Sequence, residues 1–292
     1  MPCTAEMDRR KDGSLTAGIA EAQFGRDKTE MNIQNPIEQV AERLRTAPRV
    51  TVLTGAGISA ASGVPTFRGH EGLWKSYSPH ELATPEAFRS DPKLVWEWYN
   101  WRRELISKCR PNPAHHVLAL WSKRYSGFTL ITQNVDGLHE KAGTENVVRF
   151  HGSIWEVFCW DSCKASPPRW VDERVPLAPI PPSCPHCGGL IRPGVVWFGE
   201  SIDLAVLQQS AKAVDCEVFM TIGTSAQVYP AAGLVEQAHA KGAFTVEINV
   251  EATPASDVVD LSIQGPAEAV LQEIENAIGG EYGDRLLNSP SE

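Results

Sequence analysis

The stretch RVTVLTGAGISA, residues 49–60, is the strongest indication of the fold, because a short apolar strand runs directly into a glycine-rich turn. Gly55, Gly57 and Ala60 have the G-x-G-x-x-G/A spacing of turns that bind dinucleotides. The glycines of such a turn let the main chain approach a pyrophosphate, and we expect the helix that follows to present free N–H groups to it. The spacing alone fits an ordinary strand-to-helix turn equally well, so other segments of the sequence are needed to distinguish that turn from a dinucleotide-binding one.

Short apolar runs alternate with amphipathic helical patterns along most of the chain. Strand patterns lie at 49–53, 128–132, 217–222, 244–248 and, more weakly, 258–263. Helical patterns lie at 37–44, 113–125, 204–213, 230–241 and 267–278. Strands that alternate with helices are typical of parallel sheets, so the sequence predicts an α/β fold with a Rossmann-like, doubly wound parallel sheet.

Two insertions interrupt this alternation. Residues 66–112 are rich in Trp and partly helical in pattern, whereas residues 151–200 are rich in Cys, Pro and Trp and show little helical periodicity. We therefore expect a smaller helical module and a zinc-ribbon module beside the sheet domain. The predicted organisation is a disordered tail at 1–34, a sheet domain at 35–65, 113–150 and 201–278, a helical module at 66–112, a zinc-binding module at 151–200 and a C-terminal tail at 279–292.

The zinc prediction rests on two close cysteine pairs. Cys159 and Cys163 have three residues between them, and Cys184 and Cys187 have two. Four thiolates in such pairs suit tetrahedral Zn²⁺, and four protein ligands leave no open position, so the ion would be structural. The alternative is four unrelated buried cysteines. A spacing of three in the first pair is unusual for the family named below, which leaves the geometry of the site open.

The composition restricts the partners of the chain. Among 292 residues, 36 Asp and Glu outnumber 27 Lys and Arg, so the net charge is −9 and binding of nucleic acid is disfavoured. No apolar run approaches the roughly 18 residues of a membrane span, and residues 1–30 lack the apolar core of a secretory signal. Those residues also carry six acidic side chains, which argues against a typical mitochondrial transit peptide. An odd total of seven cysteines indicates an intracellular, reducing compartment.

The segment after the glycine-rich turn disfavours a dehydrogenase. A hydride-transferring enzyme of this type has an acidic residue at the end of the next strand, about 20 residues on. Here position 75 is Lys, and a loop with Phe67 and Arg68 precedes it. Such a loop is better suited to cover NAD and to place a cation near its phosphates.

Six segments of the chain together resemble the sirtuins, in the order in which that family has them. They are TGAGISAASGVPTFRG at 54–69, TQNVDGLH at 132–139, HGS at 151–153, PGVVWFGE at 193–200, GTS at 223–225 and INVE at 248–251. The resemblance covers roughly residues 35–277 and identifies the chain as a member of the family. It implies an NAD-consuming lysine deacylase whose products are free lysine, nicotinamide and O-acyl-ADP-ribose.

The resemblance also implies roles for single residues. His151 matches the general base, and Asn134 orients a water or the ribose. Gln133 contacts the nicotinamide ribose, Asp136 holds the carboxamide, and Phe67 shields the reactive carbon. The full set of NAD-binding residues implied is Gly55, Ala56, Gly57, Ile58, Ser59, Thr66, Phe67, Arg68, Trp74, Gln133, Asn134, Val135, Asp136, Gly223, Thr224, Ser225, Asn249, Val250, Glu251 and Ala267.

Tyr99 and Arg102 resemble the Tyr-x-x-Arg pair with which class III sirtuins bind the carboxylate of succinyl-, malonyl- or glutaryl-lysine. Three residues apart, they share a helix face, whereas Arg103 points about 100° away. Ala83 would leave room for a longer acyl chain. The alternative is a solvated Arg102 and a half-buried packing role for Tyr99. Further substrate contacts are implied for the strand that pairs with the peptide, at Val195, Val196 and Trp197.

Two other functions remain open at this stage. The chain could act mainly as a deacetylase or mono-ADP-ribosyltransferase, or it could be a non-catalytic NAD-binding or zinc-ribbon module. We expect acylated lysine side chains of proteins as partners, no nucleic acid or membrane, and a monomer. The family resemblance favours mitochondria, but the N-terminus leaves the cytosol and nucleus open.

Overall fold

The structure is a computed structural model that describes residues 35–65, 79–164 and 169–279. Four residues of the predicted NAD set, Thr66, Phe67, Arg68 and Trp74, lie outside the described residues. The strands in the described part are β1 (Arg49–Thr54), β2 (Gly127–Thr132), β3 (Val147–Arg149), β4 (Gly152–Cys159), β5 (Arg169–Val171), β6 (Ile191–Val195), β7 (Val218–Ile222), β8 (Phe244–Asn249) and β9 (Leu261–Gln264).

The helices fall largely where the apolar periodicity predicts them. They are α1 (Pro36–Thr46), α2 (Pro79–Leu82), α3 (Pro85–Ser90), α4 (Pro92–Lys108), α5 (Pro113–Arg124), α6 (Leu138–Lys141), α7 (Leu204–Ala213), α8 (Gly233–Ala240) and α9 (Ala267–Ile278), with 3-10 helices at Ala56–Ser62 and Pro254–Asp257. Several begin with a polar cap followed by Pro. Asn35, Asp91 and Asn112 each accept a hydrogen bond from a first-turn amide, and the fixed φ of Pro suits the first helical position.

The large sheet is parallel throughout, as the alternation of strands and helices predicts. Its strand order is β3-β2-β1-β7-β8-β9, so the chain winds outward in both directions from β1 and β7. The sequence pattern missed β3, which has only three residues, and placed β9 too early, because Val258–Asp260 precede the strand.

Helices cover both faces of this sheet. Val50 and Val52 of β1 pack in one core with Leu44 of α1 and Leu271 of α9. Leu53 packs on the opposite face, in a core that includes the α8 side chains Leu234, Val235 and Ala238. Burial on both faces explains why the strands are apolar runs without strict alternation.

The two insertions share one apolar core. β4 lies at the centre of a three-stranded antiparallel sheet, with β5 and β6 at its edges. Trp96 and Tyr99 of α4 pack in the same core as Ile154, Val157 and Trp197 of the Cys-rich segment. Within the described residues, no helix is both long and apolar enough to cross a bilayer.

Candidate functional site

The carboxyl ends of four adjacent strands meet at one edge of the large sheet. The register aligns Thr54 of β1 with Thr132 of β2 and with Ile222 of β7, while Ile222 aligns with Ile248 of β8. Because the strands are parallel, the loops that follow them must lie side by side. Open α/β sheets bind their ligands at such an edge.

The glycine-rich turn packs tightly on the loop after β7. A Cβ atom at Gly57 would lie only 2.8 Å from Cα of Gly223, which itself has a φ of +60°. Gly57 donates its amide hydrogen to the carbonyl oxygen of Gly223 at 2.8 Å, Gly55 donates to Ile222, and Ile58 donates to Gly55. The expectation of free N–H groups is therefore wrong for these three amides, because they are used within the 3-10 turn and in its contact with the end of β7 and the loop after it.

Gln133 and Asn134 join the loops after β1, β2 and β7. The Gln133 side chain donates to the Thr224 hydroxyl at 2.9 Å. The Asn134 side chain donates to the carbonyl oxygen of Gly55 at 3.0 Å and to the Ser59 hydroxyl at 3.3 Å. Both side chains are half-buried, so they can face a ligand while they hold the loops together.

Asp136 is a buried carboxylate whose side chain accepts two hydrogen bonds from the protein. Ser59 donates to Oδ2 at 2.8 Å, and the main-chain amide of Leu138 donates to Oδ1 at 2.9 Å. Burial raises the pKa of Asp136, and these two hydrogen bonds oppose the shift. A carboxylate has about four acceptor sites, so it retains capacity for a further donor. Ile58, next to Ser59 in the chain, is fully buried, and Val135, next to Asp136, is half-buried.

Two buried histidines, for which no sequence motif predicted a chemical role, lie behind the site. Nε2 of His139 lies 3.0 Å from the Thr54 hydroxyl, and His115 lies within reach of Ser59 at 3.5 Å. Their rings are 4.8 Å apart. Burial lowers the pKa of His139 to about 3 and that of His115 to about 2, so both are neutral. His115 also closes a capping box with Asn112 at the start of α5.

His151 follows β3 and faces the end of β2. Its Nδ1 atom lies 3.2 Å from the carbonyl oxygen of Gln133. Burial lowers the pKa of His151, and the hydrogen bond to Gln133 opposes this shift. The left-handed φ of +78° at Gly152 sharply turns the chain into β4 directly after the histidine.

Three predicted NAD residues, Asn249, Val250 and Glu251, lie at the end of β8 and in the loop after it. The Asn249 side chain donates to the carbonyl oxygen of Thr224 at 3.4 Å, so this loop touches the loop after β7. Glu251 and Val250 are exposed, and Ser225 is half-buried. Ala267 is buried at the start of α9.

Tyr99 and Arg102 lie close together on α4. Tyr99 is 1% exposed, and its hydroxyl oxygen accepts a hydrogen bond from Nε1 of Trp197 at 2.9 Å. Arg102 is half-buried, with its guanidinium carbon 4.9 Å from the centre of the Trp98 ring and 6.0 Å from that of Tyr99. The alternative of a solvated Arg102 and a half-buried Tyr99 is therefore wrong, because Tyr99 is fully buried and Arg102 is half-buried over aromatic rings.

The adjacent Arg103 has a different environment. Its side chain is fully buried and donates to the main-chain carbonyl oxygens of Ile154, Asp172 and Arg174. These bonds join α4 to the small sheet. The helix therefore uses one arginine for structure and keeps the other near Tyr99, as the 100° separation predicts.

The segment predicted to pair with substrate begins at Val195, the last residue of β6. Val196 donates its amide to the carbonyl oxygen of His151 at 2.9 Å, and Phe198 donates to that of Ala83 at 2.9 Å. The amide of Trp197 donates to Glu200 at 2.8 Å. These amides are thus already bonded within the protein, so a substrate strand that pairs here would use other main-chain groups of the segment.

The four predicted cysteines meet in one cluster. All four sulfur atoms lie within 4.8 Å of one another. Sγ of Cys159 is 3.6 Å from that of Cys187, and Sγ of Cys163 is 3.7 Å from that of Cys184. Four ligands at the Zn–S distance of about 2.3 Å place sulfurs roughly 3.8 Å apart, so the cluster fits a tetrahedral zinc ion.

The extra residue in the first cysteine pair is absorbed locally. Ser162 has a left-handed φ of +50°, and its amide donates to the carbonyl oxygen of Cys159 at 3.3 Å. This turn brings Cys163 back toward the other ligands. The unusual spacing therefore does not prevent the four sulfurs from converging.

The Sir2 family model matches residues 55–230 of the chain. A protein from Aquifex aeolicus named NAD-dependent protein deacylase is 46% identical over 237 residues, which cover 81% of this chain and 98% of that protein. NAD-dependent protein deacylase 2 from Pyrobaculum aerophilum is 47% identical over 252 residues, covering 86% of this chain and 99% of its own length.

Solved structures have the same fold. A Sir2 homologue in complex with NAD aligns with a TM-score of 0.77 and 42% identity, covering 82% of this chain and 93% of the homologue. A Sir2 variant with a deacetylated p53 peptide and 3'-O-acetyl ADP-ribose aligns with a TM-score of 0.74 and 28% identity, covering 84% of this chain and 99% of the variant.

Proposed function

This chain belongs to the Sir2 family, and from that premise we propose that it is an NAD-dependent protein-lysine deacylase that prefers acidic acyl groups such as succinyl, malonyl and glutaryl. The observation that carries the acidic preference is the buried Tyr99 hydroxyl beside the half-buried Arg102. A guanidinium and a phenol can together bind a carboxylate. An acetyl group would leave both without that partner, which disfavours it.

The strand-end residues fit NAD by their chemistry. Asp136 keeps acceptor capacity for the carboxamide N–H groups of nicotinamide, and Asn249 and Glu251 would accept hydrogen bonds from the adenosine ribose hydroxyls. When NAD is bound, it supplies the ribose carbon that exchanges nicotinamide for the acyl oxygen of the substrate. Gln133 and Asn134, on the neighbouring loop, would orient the ribose.

His151 would move the proton in this reaction. Its Nδ1–H donates to the carbonyl oxygen of Gln133, so the lone pair of Nε2 can accept the proton of a ribose hydroxyl. A neutral ring is required, and burial favours that form because it lowers the pKa of His151. The apolar core around Tyr99 and Trp197 would limit access of water to the acyl group.

The four cysteines would hold a structural zinc ion. All four ligand positions of a tetrahedron would be protein sulfurs, so the metal would take no part in the acyl chemistry. The cluster lies at the end of β4 that is farther from His151 along the strand. There the ion would join the segment of Cys159 and Cys163 to that of Cys184 and Cys187.

A comparison of succinyl-lysine and acetyl-lysine versions of one peptide tests this proposal. We expect a higher kcat/KM for the succinyl peptide, with nicotinamide released only when NAD and an acyl peptide are both present. A preference for acetyl would contradict the acidic selectivity but leave the deacylase assignment. Absence of nicotinamide release with every acyl peptide would instead favour a non-catalytic NAD-binding module.

A further inference from the structure

An ion pair between a buried arginine of β6 and a half-buried glutamate joins this strand to the loop after it. Arg192 is 4% exposed and forms a bidentate pair with Glu200, with N–O distances of 2.5 and 2.9 Å. Nη2 of Arg192 also donates to the carbonyl oxygen of Val195 at 3.0 Å, and Glu200 accepts the amide hydrogen of Trp197. The pair therefore fixes both main-chain ends of the short segment that carries Trp197.

Arg192 also fixes the Trp197 side chain. Its guanidinium carbon lies 3.4 Å from the centre of the Trp197 ring, which is a direct cation–π stack. Phe88 and Trp160 pack on the same indole, with ring centres 5.3 and 6.3 Å away. A planar guanidinium suits such a stack, whereas the compact ammonium group of Lys does not.

The indole of Trp197 in turn determines what Tyr99 can do. Nε1 of Trp197 donates to the Tyr99 hydroxyl at 2.9 Å, so the phenol hydrogen must point to a different acceptor. Burial raises the pKa of Tyr99 to about 12, which keeps the phenol protonated at neutral pH. The hydroxyl is thereby held as a donor.

The chain of contacts continues to Arg102. The ring centres of Trp98 and Tyr99 are 4.7 Å apart in an edge-to-face contact. The guanidinium carbon of Arg102 lies 4.9 Å from the centre of the Trp98 ring and 6.0 Å from that of the Tyr99 ring. Arg192, on the small sheet, is thus connected through packed rings to the cation on α4.

We propose that Arg192, held by Glu200, is a positioning residue for acyl selectivity: it sets the Trp197 indole so that the Tyr99 hydroxyl donates to the carboxylate of an acidic acyl group beside Arg102. This inference rests on the proposed acidic-acyl function. Arg192 touches neither acyl group nor NAD in this scheme. Its effect should therefore appear in the discrimination between acyl groups and in the KM for the acidic one.

The test is a double-mutant cycle between Arg192→Lys and Tyr99→Phe, with succinyl and acetyl versions of one peptide. Arg192→Lys keeps the charge next to Glu200 but loses the bidentate fork and the planar stack. We expect it to lower the succinyl-to-acetyl ratio of kcat/KM by about tenfold, mainly through a higher KM for the succinyl peptide. In the Tyr99→Phe background the same change should leave this ratio unaltered, because the hydroxyl that it positions is gone.

Arg169→Lys is the matched control. Arg169 also stacks on an aromatic ring of the small sheet, 5.0 Å from the centre of Phe158, but its side chain is 47% exposed and pairs with Glu156. We expect no change in the acyl ratio from this substitution. Trp197→Phe is a second probe, which removes the indole donor without changing any charge and should lower the ratio in the same way as Arg192→Lys.

Thermal melting and zinc content of every variant separate positioning from folding. Equal losses on both peptides in Arg192→Lys and Trp197→Phe, at unchanged melting temperature, would overturn the inference. So would additive effects in the cycle. If Arg192→Lys fails to fold, Trp197→Phe alone decides between these outcomes. A wild-type preference for acetyl would instead refute the proposed function, and with it this inference.

Discussion

Nδ1 of His151 lies 3.2 Å from the main-chain carbonyl oxygen of Gln133. A carbonyl oxygen can only accept, so Nδ1 carries the hydrogen and Nε2 keeps its lone pair in the neutral ring. Gln133 is the first residue after β2, and the parallel register fixes its position relative to the glycine-rich turn after β1. The sheet thereby selects both the place and the tautomer of the proposed base.

The pH profile of the enzyme should reflect this environment. Burial lowers the pKa of His151 below its ordinary value of 6.5, so the ring loses its proton at a lower pH than a free imidazole does. Since the neutral form is the base, kcat/KM should rise with pH through a pKa below 6.5 and be flat across neutral pH. A profile measured with a succinyl peptide at saturating NAD checks this. A rise centred above pH 7 would contradict it.

His151→Ala should separate binding from turnover. The substitution removes the proposed base and leaves the Gln133 main chain in place, so we expect kcat to fall by roughly 10²–10⁴-fold while the Kd for NAD changes little. Single-turnover assays and NAD titration measure the two quantities. His239→Ala, a change at a half-exposed histidine of α8, is the control and should alter neither. Retained turnover in His151→Ala would exclude the residue as base.

Arg102→Met should reduce acidic selectivity. Met keeps an apolar chain of similar length next to Trp98 and removes the charge. We expect kcat/KM for the succinyl peptide to fall by about 10- to 100-fold more than that for the acetyl peptide, since a charge-assisted hydrogen bond is lost. Arg89→Met is the matched control, because Arg89 of α3 also has its guanidinium carbon over an indole, 5.6 Å from the centre of the Trp160 ring. Equal losses on both peptides in Arg102→Met would argue against the pocket.

Loss of zinc should destabilise the small module. Cys184 is 2% exposed and lies 3.7 Å from Cys163. We expect Cys184→Ser to lose the metal and to lower the melting temperature, because the ion would stabilise a module that has little regular structure around the cysteines. Cys109→Ser, at a buried thiol of another segment, should retain one zinc per chain. An unchanged melting curve after chelation would count against a structural ion.

Acid should unfold the protein through its buried histidines. The folded-state pKa values of His139 and His115, about 3 and 2, lie below the ordinary 6.5 of an unfolded chain. Below pH 6.5 the unfolded state therefore binds more protons, and the free energy of unfolding falls as the pH decreases toward 3. From pH 7 to pH 5 each histidine should contribute a loss of about 2 kcal/mol.

Urea denaturation at the two pH values measures this loss. The variant His139→Gln has no titrating group at that position and should show a smaller decrease between pH 7 and pH 5 than the parent chain. Its stability at pH 7 can be lower, since the contact with Thr54 changes, but only the difference between the two pH values bears on the prediction. An equal decrease in both proteins would contradict the assignment of His139 as a buried neutral ring.

Much of the candidate site could be predicted because its residues directly follow strands. The turn at Gly55, the Gln133–Asp136 loop and Asn249 each follow an apolar run, and parallel strands bring such loops to one edge. Hydrophobic periodicity did not predict elements that are too short to show a repeat or that depend on contacts with distant segments. β3 is too short to show alternation, and the 3-10 helix after Gly55 depends on hydrogen bonds to β7.

The amino-acid sequence was enough to predict the parallel sheet, the order of its strand-end motifs and the set of four clustered cysteines, because periodicity, turn residues and ligand spacing act between neighbours along the chain. Other contacts could be seen only in the folded chain: Trp197 donates to Tyr99, 98 residues away, and Arg192 stacks on that indole. Likewise, it is Arg103 that donates to main-chain carbonyl oxygens of the Cys-rich segment. Such contacts depend on how separate elements pack, and side-chain packing between distant segments leaves no periodic trace in the chain.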